Sequence, residues 1–148
     1  MRFMVIVKAD ARSEAGELPS AELLAAMGKY NEELVKAGVL LAGEGLHPSS
    51  RGVRVRFSAD RRTVIEGPFD GDLVAGFWLI QVKSLEEEVE WVKRVPFETN
   101  DGEPEIEIRQ VFDAEDFGPE LAAQVPEVFE AEWLGFPDGS GKAPMIPW

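Results

Sequence analysis

The stretch of residues 64–96, VIEGPFDGDLVAGFWLIQVKSLEEEVEWVKRVP, leaves little freedom in how it can fold. Gly67-Pro68 interrupts whatever precedes it, because glycine supplies backbone freedom and proline fixes φ. Residues 77–82 are aromatic and aliphatic almost without a break, which predicts a strand buried on both faces. Ser84 with Glu87 three residues later spells a capping box for a helix, and Leu85, Val89 and Val92 form its inward stripe. Lys93-Arg94 ahead of Pro96 then suits the negative end of that helix dipole. Turn, strand and helix follow one another with no room for a linker.

The remainder can be set around this block. Residues 2–9, RFMVIVKA, are short and uniformly apolar enough for a central strand. Residues 11–19 read as a polar loop. Ser20 then caps a helix whose apolar positions Leu23, Met27, Tyr30 and Leu34 recur at helical spacing, with Gly38 as its stop. Residues 39–42 make a second short strand, and the glycines and proline of residues 43–50 predict a loop. Val53, Val55 and Phe57 alternate with Arg54, Arg56 and Ser58, the pattern of a half-buried strand. Asp60-Arg61-Arg62 turns it into residues 63–65 as a β-hairpin. Residues 105–112 alternate as a final strand, with Ile106, Ile108 and Phe112 on one side and Glu105, Glu107 and Arg109 on the other.

Strand, helix, strand, hairpin, strand, helix, strand is an α+β plan, ferredoxin-like with an added β-hairpin, over residues 1–113. Such a sheet has helices on one face only, and strands apolar on both faces call for a second cover. Residues 114–148 form an extension: a short helix from residues 117–119 through Leu121 and Val125, another over residues 126–133, and a Pro- and Gly-rich arm. That arm holds Trp133, Leu134, Phe136, Met145, Ile146 and Trp148, so it is expected to be docked instead of free.

Charge and cysteine content narrow the partners. With 28 acidic and 15 basic residues the chain carries a net charge of −13, which repels phosphate backbones and anionic membranes. Direct nucleic-acid binding and membrane association are not expected. The 148 residues include no cysteine, which excludes disulfides, thiolate nucleophiles and Cys-ligated zinc. Residues 1–3 run straight into a strand without the profile of a signal peptide, and no apolar run approaches a membrane span, so a cytoplasmic protein is expected.

The tetrapeptide Glu66-Gly67-Pro68-Phe69 resembles the DGPF motif of the YciI-related, or DGPF-domain, proteins, and residues 75–96 resemble that family's next strand and helix. The resemblance implies that the bare sheet face packs on the same face of a second subunit, giving a dimeric α+β barrel with a small-molecule pocket under residues 43–50 and beside Glu66. In the YciI branch a His–Asp pair has been suggested as the active site. Its histidine would fall at Met27 here, so that dyad does not carry over. Family members commonly follow DGPF with a segment such as AETKE, which this chain replaces with Asp70-Gly71-Asp72-Leu73-Val74. DGPF proteins are also often encoded near alternative sigma factors, which implies a regulatory association without DNA contact.

Candidate chemistry is sparse. His47 alone titrates near neutrality without perturbation, and it sits in a loop; it reads either as an acid/base or ligand group or as a surface histidine beside Pro48. As a functional group it should lie within reach of Glu44 or Glu66 and face a cavity. Glu66 either stabilises the turn, accepting backbone N–H bonds, or joins the acid/base set. Gly67 and Pro68 aim Phe69, which is expected to be largely buried. Arg54 and Arg56 share one hairpin face, where they either grip a carboxylate or phosphate or pair with surface acids. A lone histidine without cysteine disfavours a transition-metal site, and no dinucleotide, Walker, GxSxG or HExxH motif implies a cofactor. Two functions remain open: a small dimeric enzyme using His47 with Glu44 or Glu66 on a small organic substrate, or a non-catalytic ligand-binding or accessory protein.

Overall fold

A computed structural model describes residues 1–98 and 102–122, without the side chains of 121 and 122. The elements are β1 (Arg2–Lys8), α1 (Ala11–Glu14), α2 (Ala21–Lys36), β2 (Leu40–Gly45), β3 (Val53–Phe57), β4 (Arg62–Glu66), β5 (Val74–Gln81), α3 (Leu85–Val92), β6 (Ile106–Gln110) and α4 (Pro119–Ala122). Four strands form an antiparallel sheet in the order β2-β5-β1-β6, the ferredoxin-like arrangement, and β3-β4 form a separate hairpin inserted between β2 and β5. The four-stranded sheet is open. The second expected helix at residues 126–133 and the arm at residues 134–148 lie outside the described residues.

Alternation along β1 decides which face meets the helices. Phe3, Val5 and Val7 are buried, while Arg2, Met4, Ile6 and Lys8 are only partly covered on the other side. On β5, Trp78 and Ile80 point to the helix side opposite Val5 and Phe3. Against them α2 buries Met27, Tyr30 and Leu34. Trp78 is fully buried, its indole N–H donates to Asn31 Oδ1 at 2.8 Å, and Tyr30 meets its ring edge-on at 5.6 Å. Asn31 is thus a buried polar residue whose burial cost is offset by satisfying the indole.

Helix ends follow from their caps. Ser20 accepts the N–H of Leu23 at 3.1 Å, which fixes the start of α2. At its end, Gly38 adopts φ +73°, its N–H reaches Val35 O and the N–H of Val39 reaches Leu34 O, a Schellman closure at the expected stop.

Six readings from sequence need correction. Residues 11–19 are not all loop: Asp10 and Ser13 cap each other reciprocally and start α1. Strand β2 runs on through Gly45, because the glycine at 43 marks close packing instead of a turn. A Cβ there would stand 2.9 Å from Trp78 Cδ1, so only glycine lets the strand lie over the indole. In α3, Ser84 accepts the Glu87 N–H, but the Glu87 carboxylate bonds the N–H of Lys83 and not that of Ser84, so the box is half formed. The inward stripe is also different, with Leu85 exposed and Glu88 fully buried. The hairpin departs most. Val53, Val55, Phe57 and Val64 are 60%, 46%, 71% and 62% exposed, because β3-β4 stand off the main sheet and nothing among the described residues packs on that side. Phe112 likewise is exposed beyond β6, where its ring meets Phe117 at 5.1 Å.

Glu88 carries a definite electrostatic cost. Neither carboxylate oxygen has a hydrogen-bond partner among the described residues. Burial, aided by neighbouring Glu87, pushes its carboxyl up to about 7, and its presence helps burial raise the Tyr30 phenol. Between about 4.5 and about 7 the folded chain keeps a proton that the unfolded chain has lost. Stability therefore falls as pH rises through that window, by on the order of 2 kcal/mol after allowance for solvent screening. Urea melts of Glu88→Leu should lack that decline, and a wild-type decline retained in the variant would contradict the assignment.

Candidate functional site

The chain leaves β2 at Gly45, extends the ladder by one bond from Leu46 N–H to Ala75 O at 2.8 Å, and passes His47 and Pro48 into a short 3-10 turn over Ser49–Arg51. The turn closes through Arg51 N–H to Pro48 O and Gly52 N–H to Ser49 O. The hairpin then returns the chain so that the Gly67 N–H meets Gly52 O at 3.0 Å. Both ends of the hairpin converge on Ser49.

Ser49 holds the two strands of this junction together. Its backbone N–H donates to Glu14 Oε2 at 2.8 Å, its hydroxyl donates to Glu14 Oε1, and the same hydroxyl oxygen accepts the N–H of Phe69 at 3.0 Å. These two donors hold the Glu14 carboxyl below its usual range. Gly67 closes the arrangement from the other side. A Cβ at that position would sit 1.8 Å from the carbonyl oxygen of Ser49, a clash with backbone that no rotamer change can relieve. The Gly67-Pro68 peptide bond is cis. Glycine in the EGPF sequence is thus required by close approach, and the anchoring carboxylate is Glu14, thirty-five residues upstream of Ser49.

The residues singled out from sequence are brought together unequally. Phe69 is half-buried, less than expected, with the Arg54 guanidinium 4.0 Å over its ring. His47 is exposed, and the Arg51 Nη1 lies 3.0 Å from both of its ring nitrogens. A donor equidistant from both nitrogens lies over the ring and not along either lone pair, so the contact is a stack. Neither Glu44 nor Glu66 is hydrogen-bonded to that ring. Glu44 sits half-buried in β2 opposite Phe77, and Glu66 ends β4 exposed, with none of the backbone bonds expected of it among the described residues. Arg56 is exposed on the same hairpin face as Arg54. Pro68 is also exposed. Among the described residues no salt bridge involves Arg51, Arg54 or Arg56. Met27 is buried in the core.

A cleft of about 290 Å³ lies away from the expected place, lined by Asp10, Ala11, Arg12, Glu98, Gly102, Glu103 and Pro104. Among the described residues no group of three or more His, Asp or Glu could hold a metal ion, and no helix is long and apolar enough to cross a membrane.

Glu14 and Ser49 were missed from sequence for different reasons. Asp10 and Ser13 carried a readable cap signal that would have placed Glu14 on a helix. No local signal ties Ser49 to Glu14, because the bond is made only by tertiary folding. The profile of the YCII-related domain matches residues 1–115. The chain belongs to the YCII-related family. That match spans every described strand and ends within the short turn over Ala114–Phe117. No curated protein matches the chain.

Two outcomes follow for the junction. Gly67→Ala should cost on the order of 3 kcal/mol in denaturant melts, since backbone must move to admit the methyl group; a loss under about 1 kcal/mol would mean the approach to Ser49 is not held. Glu14 contributes stability above the ordinary carboxylate range, and that contribution is lost as pH falls through its lowered value. Glu14→Gln should therefore flatten the acid side of the stability profile, and an unchanged acid side would count against the Ser49 bonds.

Proposed function

We propose that the chain is a homodimeric small-ligand-binding protein that takes an organic anion, a carboxylate or phosphate, at the turn carrying Phe69. The observation that carries this reading is electrostatic. Five of the 15 basic residues fall between residues 51 and 62 of a chain whose net charge is −13, and Arg51 and Arg54 flank His47 and Phe69. Paired surface charges would have neutralised such a group, yet these guanidinium groups stack on rings and leave N–H donors for a bidentate acceptor. Phe69, half-buried beneath Arg54, offers a ring edge to an organic ligand beside the charge.

An acid/base enzyme is less well supported. A general base at His47 needs an acceptor, a carboxylate or a carbonyl, to orient its ring, and its neighbour is a cation. The binding reading uses the same residues without that requirement.

Dimerisation is supported by the helix-free face of the sheet. Met4, Ile6 and Phe77 lie there, partly covered, with Leu79 beside them and a charged rim of Glu107, Arg109 and Lys8. At ~25 cal/mol per Å² of apolar surface, removing such a face from water is favourable enough to drive self-association.

Light scattering of the full chain at micromolar concentration should report a dimer, and a stable monomer would overturn that part. For the site, inorganic phosphate and benzoate are the probes. Titration of either should shift the Gly52 and Phe69 amide resonances and the His47 ring protons, and Arg54→Gln should weaken the response at least tenfold, about 1.4 kcal/mol. Absent shifts, or equal shifts in Arg54→Gln, would overturn the anion site.

A further inference from the structure

The hairpin presents two unlike faces. Arg54, Arg56, Thr63 and Ile65 lie on the side of Phe69, whereas Val53, Val55, Phe57 and Val64 form a contiguous apolar strip on the other, about half or more exposed. Val55 and Val64 are direct cross-strand partners, so the strip is continuous. At its tip Arg62 lies 4.8 Å over the Phe57 ring, and its Nη1 donates to the carbonyls of Ser58 and Arg61, which holds the guanidinium at the edge of the strip. A two-stranded ribbon is marginal by itself in water, and this one carries its largest side chains bare. It is an apolar surface with a cationic end in an anionic chain.

One segment of this chain has the opposite character. Residues 123–148 contain Glu127, Glu130, Glu132 and Asp138 against the single Lys142, interleaved with Phe129, Trp133, Leu134, Phe136, Ile146 and Trp148. We infer that residues 123–148 dock on the Val53-Val55-Phe57-Val64 strip, their aromatic residues covering it and their acidic residues meeting Arg61 and Arg62. The match is double, apolar to apolar and acid to base, and neither half is satisfied elsewhere among the described residues.

The reach is sufficient. The chain leaves β6 at the end of β1 that carries Phe3, and the hairpin joins the sheet at the far edge and the opposite end, near Gly45 and Gly76. Those points are roughly 25 Å apart across three strand spacings and a strand length, before the hairpin itself is added. The 26 residues from 123 to 148 can span up to roughly 90 Å when extended. A segment of that length reaches the hairpin of its own chain or that of a second copy.

The absence of cysteine from the sequence makes the test clean. Ser140→Cys in the full chain, carrying a nitroxide, should remove most of the amide intensity of Val53, Val55, Phe57 and Val64 while sparing α2. Adding Arg61→Glu and Arg62→Glu to the labelled chain should restore those signals, as should high salt. Mixing isotope-labelled chains with separately spin-labelled ones tells whether the contact is made within or between copies, and either answer supports docking. The inference is overturned if the label leaves the hairpin signals intact, or if the double charge reversal leaves the broadening unchanged. In the first case, concentration-dependent shifts of the same amides would assign the strip to a second copy's folded surface instead.

Discussion

Ser49 is the joint on which the hairpin and the Gly67-Pro68-Phe69 turn are hung. One side chain and one peptide group accept responsibility for two long-range connections, to Glu14 on α1 and to Phe69 after the hairpin. A loop residue making both donations and one acceptance converts a flexible excursion into a fixed platform, because each bond closes a loop that would otherwise sample many conformations. The close approach of Gly67 to the Ser49 carbonyl belongs to the same constraint. Without it Phe69 could not reach the serine hydroxyl, and Arg54 would have no ring to rest on.

The sheet supplies the frame for that joint by ordinary means. Trp78 fills the centre of the core, and its demands shape the neighbouring strands: Gly43 yields space above it, Asn31 answers its N–H, and Tyr30 meets its edge. Strand β2 stays paired with β5 as far as Gly45, which delivers His47 and Ser49 to one end of the sheet. Core packing and site geometry are connected through this single strand, and a change at Gly43 would be felt at both.

Legibility in the sequence followed the range of the interactions. The strand at residues 2–9, the capped helix after Ser20 and its stop at Gly38 were readable because periodicity, caps and positive-φ glycine act within a few residues. The order of elements, and hence the ferredoxin-like plan with an inserted hairpin, followed from them. Gly43 misled because a glycine in a strand and one in a loop look alike until the indole facing it is known. Glu88 misled because helical spacing alone ranks Leu85 above a glutamate for an inward position, and here packing overrides polarity. Alternation correctly separated the two faces of the hairpin, but it carries no information on whether another layer covers either face. Around the turn, Gly67 and Phe69 were singled out as candidates from its sequence, whereas the carboxylate bonded at the turn was expected to be Glu66 and is Glu14. Sequence proximity favoured the wrong acid.

The Glu14–Ser49 connection holds the turn and, through it, the cationic group around Phe69. Amide hydrogen exchange on Glu14→Gln tests this most directly. The Ser49 and Phe69 amides and the β3-β4 hairpin are expected to lose protection together while β1 and β5 keep theirs. Protection of the Phe69 amide unchanged from the wild-type chain would contradict it.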